Sequence, residues 1–203
     1  MGKLKLGVLA SGRGSNLQSI MDAAAAGKIN AEVAVVISDQ EDAFALERAR
    51  RAGIPAVHVN SRKFASREDY EKAILEQLKE HGVALVCLAG YMKLVGRILL
   101  EDYPNRIMNI HPALLPAFPG LHGQEQAWKY GVKFSGCTVH FVDDGMDTGP
   151  IILQAVVPVY DNDTADILAA RILEQEHQIY PEAIGLFAEG RLNVNGRKVS
   201  IVK

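Results

Sequence analysis

Ala84-Leu85-Val86-Cys87-Leu88-Ala89 is apolar at every position, and the fold can be read outward from it. A strand with one face in water alternates apolar and polar residues; an unbroken short apolar run fits a parallel strand covered by helices on both faces. Toward the N-terminus, Arg67–His81 carries Tyr70, Ile74, Leu75 and Leu78 at helical spacing, with Gly82 as a stop signal. Further back, apolar and amphipathic runs alternate: Leu4–Leu9, Leu17–Ala26, Val33–Ile37, Phe44–Arg51 and Pro55–Val59. That alternation is the mark of βαβ units.

Toward the C-terminus the pattern predicts a short helix near Leu94–Asp102, a strand over Arg106–Ile110 and a Pro-rich loop, His111–Gly120. A loop of that length in a compact domain usually has a task. A helix near Gly123–Tyr130, a strand Ser135–Val142, a turn-rich stretch Asp143–Pro150 and a strand Ile151–Val157 are expected next. From Asp163 a long helix carries Ile167, Leu168, Ile172 and Ile179 on one stripe, with a kink or restart at Pro181. Finally, Asn195-Gly196 between Leu192-Asn193-Val194 and Lys198-Val199-Ser200-Ile201 signals a tight hairpin turn. The expectation is an α/β fold: a doubly wound, mainly parallel sheet of about seven strands with helices on both faces. Residues 1–190 form one domain and residues 191–203 a hairpin appended to it.

Composition narrows the function classes. The chain has 203 residues, 48% hydrophobic and 23% charged, as in ordinary globular proteins. A net charge of −2, from 22 basic and 24 acidic residues without a long run of one sign, gives no field for a nucleic-acid backbone. No stretch approaches the roughly 20 apolar residues of a membrane span, and the start lacks a secretory signal pattern. Cys87 and Cys137 lie inside apolar strand-like stretches, as buried thiols in a reducing cytoplasm do. None of His58, His81, His122, His140 and His177 shows metal-ligand spacing, so no metal is expected.

Three elements carry chemistry. Ser11-Gly12-Arg13-Gly14-Ser15-Asn16-Leu17 lies where the first strand meets the first helix, so glycine backbone and helix N–H groups can wrap a phosphate. Ser15 or Asn16 is a candidate helix cap. Leu17 stands where a dinucleotide fingerprint has its third glycine, and the Walker lysine is absent, so a monophosphate fits better than a pyrophosphate. Taken alone, the glycines also fit a simple tight turn. Asn109 and His111 share one face of a strand by its period of two, and Pro112 keeps His111 extended. An amide donor beside an imidazole suits acyl transfer, in which donors hold a tetrahedral oxyanion. A nearby carboxylate is needed to favour the imidazolium; Asp147 in its Gly-flanked turn is the candidate, with Asp143 and Asp144 competing on spacing alone. Glu176 places a charge on an apolar helix stripe beside Ile172 and Ile179, so its partner is a ligand amine or hydroxyl, an internal arginine, or His177.

Taken together, Ser11–Leu17, Ala89-Gly90-Tyr91-Met92-Lys93, Asn109-Ile110-His111-Pro112-Ala113-Leu114-Leu115-Pro116 and Asp147-Thr148-Gly149-Pro150 closely resemble, in order and spacing, the folate-dependent glycinamide ribonucleotide formyltransferase family. The likeness runs from about residue 3 to residue 190. It implies that Gly14, Ser15 and Asn16 hold a substrate phosphate and that Glu176 reaches the ribose or glycinamide end. It implies a folate side made of Arg67, Met92, Lys93, Leu94, Val95 and Asn109 with Asp143, Asp144, Gly145, Met146 and Asp147. Asn109, His111 and Asp147 are then catalytic, Asp147 being singled out from its neighbours by the resemblance. The implied reaction moves a formyl group from 10-formyltetrahydrofolate, a co-substrate rather than a tightly bound cofactor, to the amine of glycinamide ribonucleotide. Small-molecule substrates, a cytoplasmic location, and a monomer or homodimer go with it.

Departures fall in loops: Gln124 stands near where many relatives have histidine, Lys93 where arginine is also common, and Ala117 offers no polar group before Phe118. Related transferases acting on methionyl-tRNA, and formyltetrahydrofolate hydrolases, would need further domains for which this chain is not expected to have room. A nicotinamide oxidoreductase would use the glycine loop and Asp39, but Leu17 opposes it; a non-catalytic sensor would tolerate loss of the Asn-x-His pair, which is intact.

Overall fold

The computed structural model describes residues 2–202. The fold is mixed α/β with a mostly parallel sheet flanked by helices, and the chain divides into two compact units, Met1–Met108 and Asn109–Lys203.

The first unit runs β1 (Leu4–Leu9), α1 (Ser15–Ala25), β2 (Ala31–Ser38), α2 (Phe44–Arg51), β3 (Ala56–His58), α3 (Arg67–Glu80), β4 (Leu85–Leu88) and α4 (Arg97–Asp102). Its strands lie in the order β3-β2-β1-β4, every neighbour parallel. Leu6, Val8 and Leu9 of β1 and Leu85, Val86 and Cys87 of β4 have no solvent exposure, which is what a strand covered on both faces requires. Each such aliphatic side chain contributes roughly 1.5–3 kcal/mol by leaving water. The helix α3 starts where Ser66 Oγ accepts the Asp69 N–H, and it buries Tyr70, Ile74, Leu75 and Leu78 as its spacing predicts. It also buries Glu71, which the spacing did not single out. Expected near Leu94, α4 begins three residues later because the Leu94 carbonyl accepts from Arg67 and residues 91–96 stay outside the helix.

The second unit continues β5 (Ile107–His111, begun before the division), then α5 (Gly123–Tyr130), β6 (Phe134–Phe141), β7 (Ile151–Pro158), α6 (Ala165–Ala188), β8 (Leu192–Asn195) and β9 (Lys198–Ile201). The strand order here is β5-β6-β7-β9-β8; β6 and β7 are antiparallel, and β9 joins β7 in parallel through Ile151 and Lys198. Nine strands are therefore present among the described residues where about seven were expected: the two extra are the hairpin, which adds to the sheet edge. Its turn sits at Gly196-Arg197 rather than Asn195-Gly196, because Asn195 and Lys198 are the last paired residues and Gly196 takes the positive φ of 57°.

In α6, Thr164 caps the first turn, and the helix passes Pro181 without a break. Leu168, Ile172 and Ile179 are buried, but Ile167 is 47% exposed, so the apolar stripe is narrower at its start than the spacing suggested. Among the described residues, no helix is long and apolar enough to cross a membrane.

Candidate active site

In the first unit, the chain leaves β1 and turns into α1 through Gly14, whose φ of 69° is left-handed. A side chain here would be strained by that φ, and its Cβ would stand 2.8 Å from the Ala45 Cβ and 2.9 Å from its Cα, so glycine is required. Gly14 itself is the N-cap, and Ser15 and Asn16 are the first helical residues. The expected side-chain cap from either is therefore not made: a cap must precede the helix, and these lie inside it. An α1 start without a side-chain cap leaves first-turn N–H groups at the positive end of the helix dipole, the arrangement that binds phosphate. The loop is held from outside by the Ala45 N–H on the Gly12 carbonyl (3.1 Å) and Arg48 Nε on the Arg13 carbonyl (2.9 Å).

Also in this unit, Arg67 gives Nε to Glu71 (3.0 Å) and Nη2 to the Leu94 carbonyl (2.9 Å). Met92 and Leu94 are 65% and 57% exposed, and Lys93 Nζ lies 3.9 Å from Asp39. Arg67, from α3, is thus in contact with the Met92–Val95 segment through the Leu94 carbonyl. Asp39 accepts from Ser11 Oγ and Gln40 Nε2, so it works here as a structural acceptor.

In the second unit, Asn109 and His111 meet one carboxylate. Asp147, at a left-handed φ of 55°, places Oδ1 3.4 Å from Asn109 Nδ2 and Oδ2 3.4 Å from His111 Nδ1. Oδ2 also accepts the Gly120 N–H at 2.8 Å. The competition among the acids resolves by contact: Asp143 Oδ1 accepts the Gly145 N–H and the Thr148 hydroxyl, satisfying its own turn, and Asp144 is exposed. Gly149 is needed for the same turn, since a Cβ there would collide with the Phe141 carbonyl.

The sequence reading missed His140. From β6 its Nε2 lies 3.1 Å from Asn109 Nδ2 and 3.6 Å from Asp147 Oδ1, while Nδ1 is 2.8 Å from the Phe141 carbonyl. A carbonyl only accepts, so Nδ1 carries the proton and Nε2 is left to accept from Asn109. The available signal was the alternation of β6; without knowledge of which face met Asn109, it marked His140 no more than Thr138. The Pro-rich loop also proves to have a task. It turns back through Phe118 (φ 54°), so that the Phe118 carbonyl takes His111 Nε2 at 2.8 Å. Its Leu115–Pro116 peptide is cis, and Thr138 Oγ1 pins the loop by donating to Ala113 and accepting from Leu115.

Electrostatics follow from these contacts. Burial lowers the His111 pKa, and the opposing pull of Asp147 and of the Phe118 carbonyl does not fully offset it. Burial would raise Asp147, but the neighbouring His140 ring, the Gly120 N–H and the charge of His111 together outweigh it, and its pKa lies below the ordinary value. His111 has an oxygen acceptor facing each ring nitrogen, the Phe118 carbonyl at Nε2 and the Asp147 carboxylate at Nδ1. Glu176 is buried on α6. Burial first, then the charge of Glu176, push the Cys137 thiol up to about 12. The neighbouring His177 leaves Nε2 without a hydrogen-bond partner among the described residues. No cluster of three or more potential metal ligands occurs among those residues.

Comparison with known proteins bears on what such a site does. A formyl transferase family profile matches residues 4–184. The chain is 46% identical over 188 residues to the phosphoribosylglycinamide formyltransferase of Escherichia coli, covering 93% of this chain and 89% of that one. It is equally identical to part of a trifunctional purine biosynthetic protein of Drosophila melanogaster, but spans only 14% of that protein's length. A crystal structure of glycinamide ribonucleotide transformylase 1 from Symbiobacterium toebii superposes with a TM-score of 0.98 at 58% identity, over 99% of this chain and 95% of that one. With most of its length matched by the profile and by full-length relatives, the chain belongs to the formyl transferase family.

Proposed function

We propose that the protein transfers a formyl group from 10-formyltetrahydrofolate to the primary amine of glycinamide ribonucleotide, acting in the cytoplasm as a monomer or homodimer. The observation that carries this reading is the convergence of Asn109, His111 and His140 on Asp147. That is a donor-rich, carboxylate-centred cluster suited to an acyl-transfer intermediate. The relatives named for this reaction support the substrate pair.

In the proposed step the amine nitrogen attacks the formyl carbon, and the carbonyl oxygen becomes an oxyanion. Asn109 Nδ2, now resting on His140 and Asp147, turns to this oxygen, and His111, protonated against the pull of its burial with the help of Asp147 and turning Nε2 from the Phe118 carbonyl, is the second donor. Asp147 holds His111 and takes the proton the amine sheds, directly or through a water. The bond from the formyl carbon to the folate nitrogen then breaks, and that nitrogen receives the proton. No metal or tightly bound cofactor enters. Gly14, Ser15 and Asn16 hold the phosphate and Glu176 the ribose or glycinamide end. Arg67, Met92–Val95, Asn109 and the Asp143–Asp147 turn serve the folate. Arg67 would meet the folate's carboxylates with whatever donors its contacts to Glu71 and Leu94 leave.

The test is a spectroscopic transfer assay with purified protein and both substrates. The expected result is one tetrahydrofolate and one formylated amide per turnover; release of formate without the amide product would contradict the assignment.

A further inference from the structure

Ser11 performs two jobs with one hydroxyl. Its Oγ donates to Asp39 Oδ1 at 2.6 Å and accepts the Met92 N–H at 2.9 Å. The direction is fixed, because a carboxylate only accepts and an amide N–H only donates. The Ser11 N–H adds a bond to the Gly90 carbonyl at 3.0 Å. Asp39 is 8% exposed; it also accepts Gln40 Nε2 at 2.7 Å and faces Lys93 Nζ at 3.9 Å. Residues 90–93 are thereby fastened to the first residue of the glycine loop. Further along, Arg67 holds the Leu94 carbonyl. Met92 and Leu94 are largely exposed, so at these two positions polar contacts of the main chain, and not apolar packing, hold the segment.

We propose that Ser11, oriented by Asp39, is a positioning residue that couples the phosphate-binding loop to the Met92–Val95 segment, so that a phosphorylated amine bound at the one raises affinity for a reduced folate at the other. This rests on the reading of those two segments as ligand sites. Such coupling is reciprocal. Loss of the hydroxyl leaves the Met92 N–H short of an acceptor and the buried Asp39 carboxylate short of a donor, which loosens the segment from the loop at Met92 while the Ser11 N–H still holds Gly90.

The experiment uses an unreactive pair. The purified protein is titrated with tetrahydrofolate, with and without saturating glycinamide ribonucleotide. In the wild type the nucleotide is expected to tighten folate binding about tenfold, ~1.4 kcal/mol. In Ser11→Ala the ratio falls to about one while the nucleotide still binds, and Ser11→Thr, which keeps the hydroxyl, restores it. Asp39→Asn keeps an acceptor but removes the charge facing Lys93; it lowers the ratio part-way, and it supplies the answer should Ser11→Ala not fold. A wild-type ratio in Ser11→Ala, or in Asp39→Asn if that must stand in, overturns the coupling and leaves the substrate assignment intact. A wild type that binds neither ligand overturns the assignment and the coupling with it.

Discussion

Around Gly14 the polar groups on offer are main-chain N–H donors at a helix start without a side-chain cap, whereas around Asp147 they are side chains that already hold one another. The first kind of site depends on backbone shape. Its weak point is the one residue whose φ no ordinary side chain tolerates. The second depends on a closed set of polar partners, in which removing one member leaves the others buried and unmatched. Shape failure should therefore appear in binding and stability, and partner failure in turnover.

The largest effect is expected for Asn109→Ala. It removes the amide that His140 and Asp147 now hold and that the oxyanion would use. Turnover in the transfer assay should fall on the order of 10²–10³, with KM for glycinamide ribonucleotide nearly unchanged.

Gly14→Ala should reverse that division. A Cβ at 2.8 Å from Ala45, together with a left-handed φ, should cost about 1–3 kcal/mol in denaturant unfolding. It should raise KM for the phosphorylated substrate more than it lowers turnover. A Gly14→Ala protein with normal KM would remove the phosphate role from the loop.

A smaller effect concerns acid. His111 lies below its usual 6.5 and Asp147 below 3.8. In each window between the ordinary and the folded value, the unfolded chain binds the proton and the folded chain does not. Stability from these groups is thus fully present above the ordinary value and is lost as the pH falls through the folded one. His177, also lowered by burial, adds with the same sign. Denaturation midpoints should fall from pH 7.5 to pH 5.5, and less so in His111→Gln.

How much of this was legible beforehand follows the same division. Backbone-driven features were readable: the apolar run at Leu85–Leu88 gave a buried parallel strand, and the glycines after Leu9 gave the strand-to-helix turn. Strand period placed Asn109 and His111 together. Contacts made across distant parts of the sequence were not readable. His140 reaches Asn109 across 31 residues, and Phe118 and Gly120 enter the cluster through main-chain atoms that any residue type carries. Spacing alone did not separate Asp147 from Asp143; the resemblance singled it out, and the contact that distinguishes the two lies in the turn, in which Thr148 and the Gly145 N–H occupy Asp143. The position of α4 was misjudged for a similar reason, since Arg67 takes the Leu94 carbonyl from 27 residues away.

The central claim is that the carboxylate of Asp147 drives the transfer rather than merely closing a turn. It is tested most directly by single-turnover formyl transfer with Asp147→Asn beside Asp143→Asn. The account predicts that Asp147→Asn lowers the transfer rate on the order of 10² or more, while both substrates still bind and Asp143→Asn stays within about threefold of wild type, as expected of a group that only satisfies its own turn. Equal rates for the two variants would contradict it.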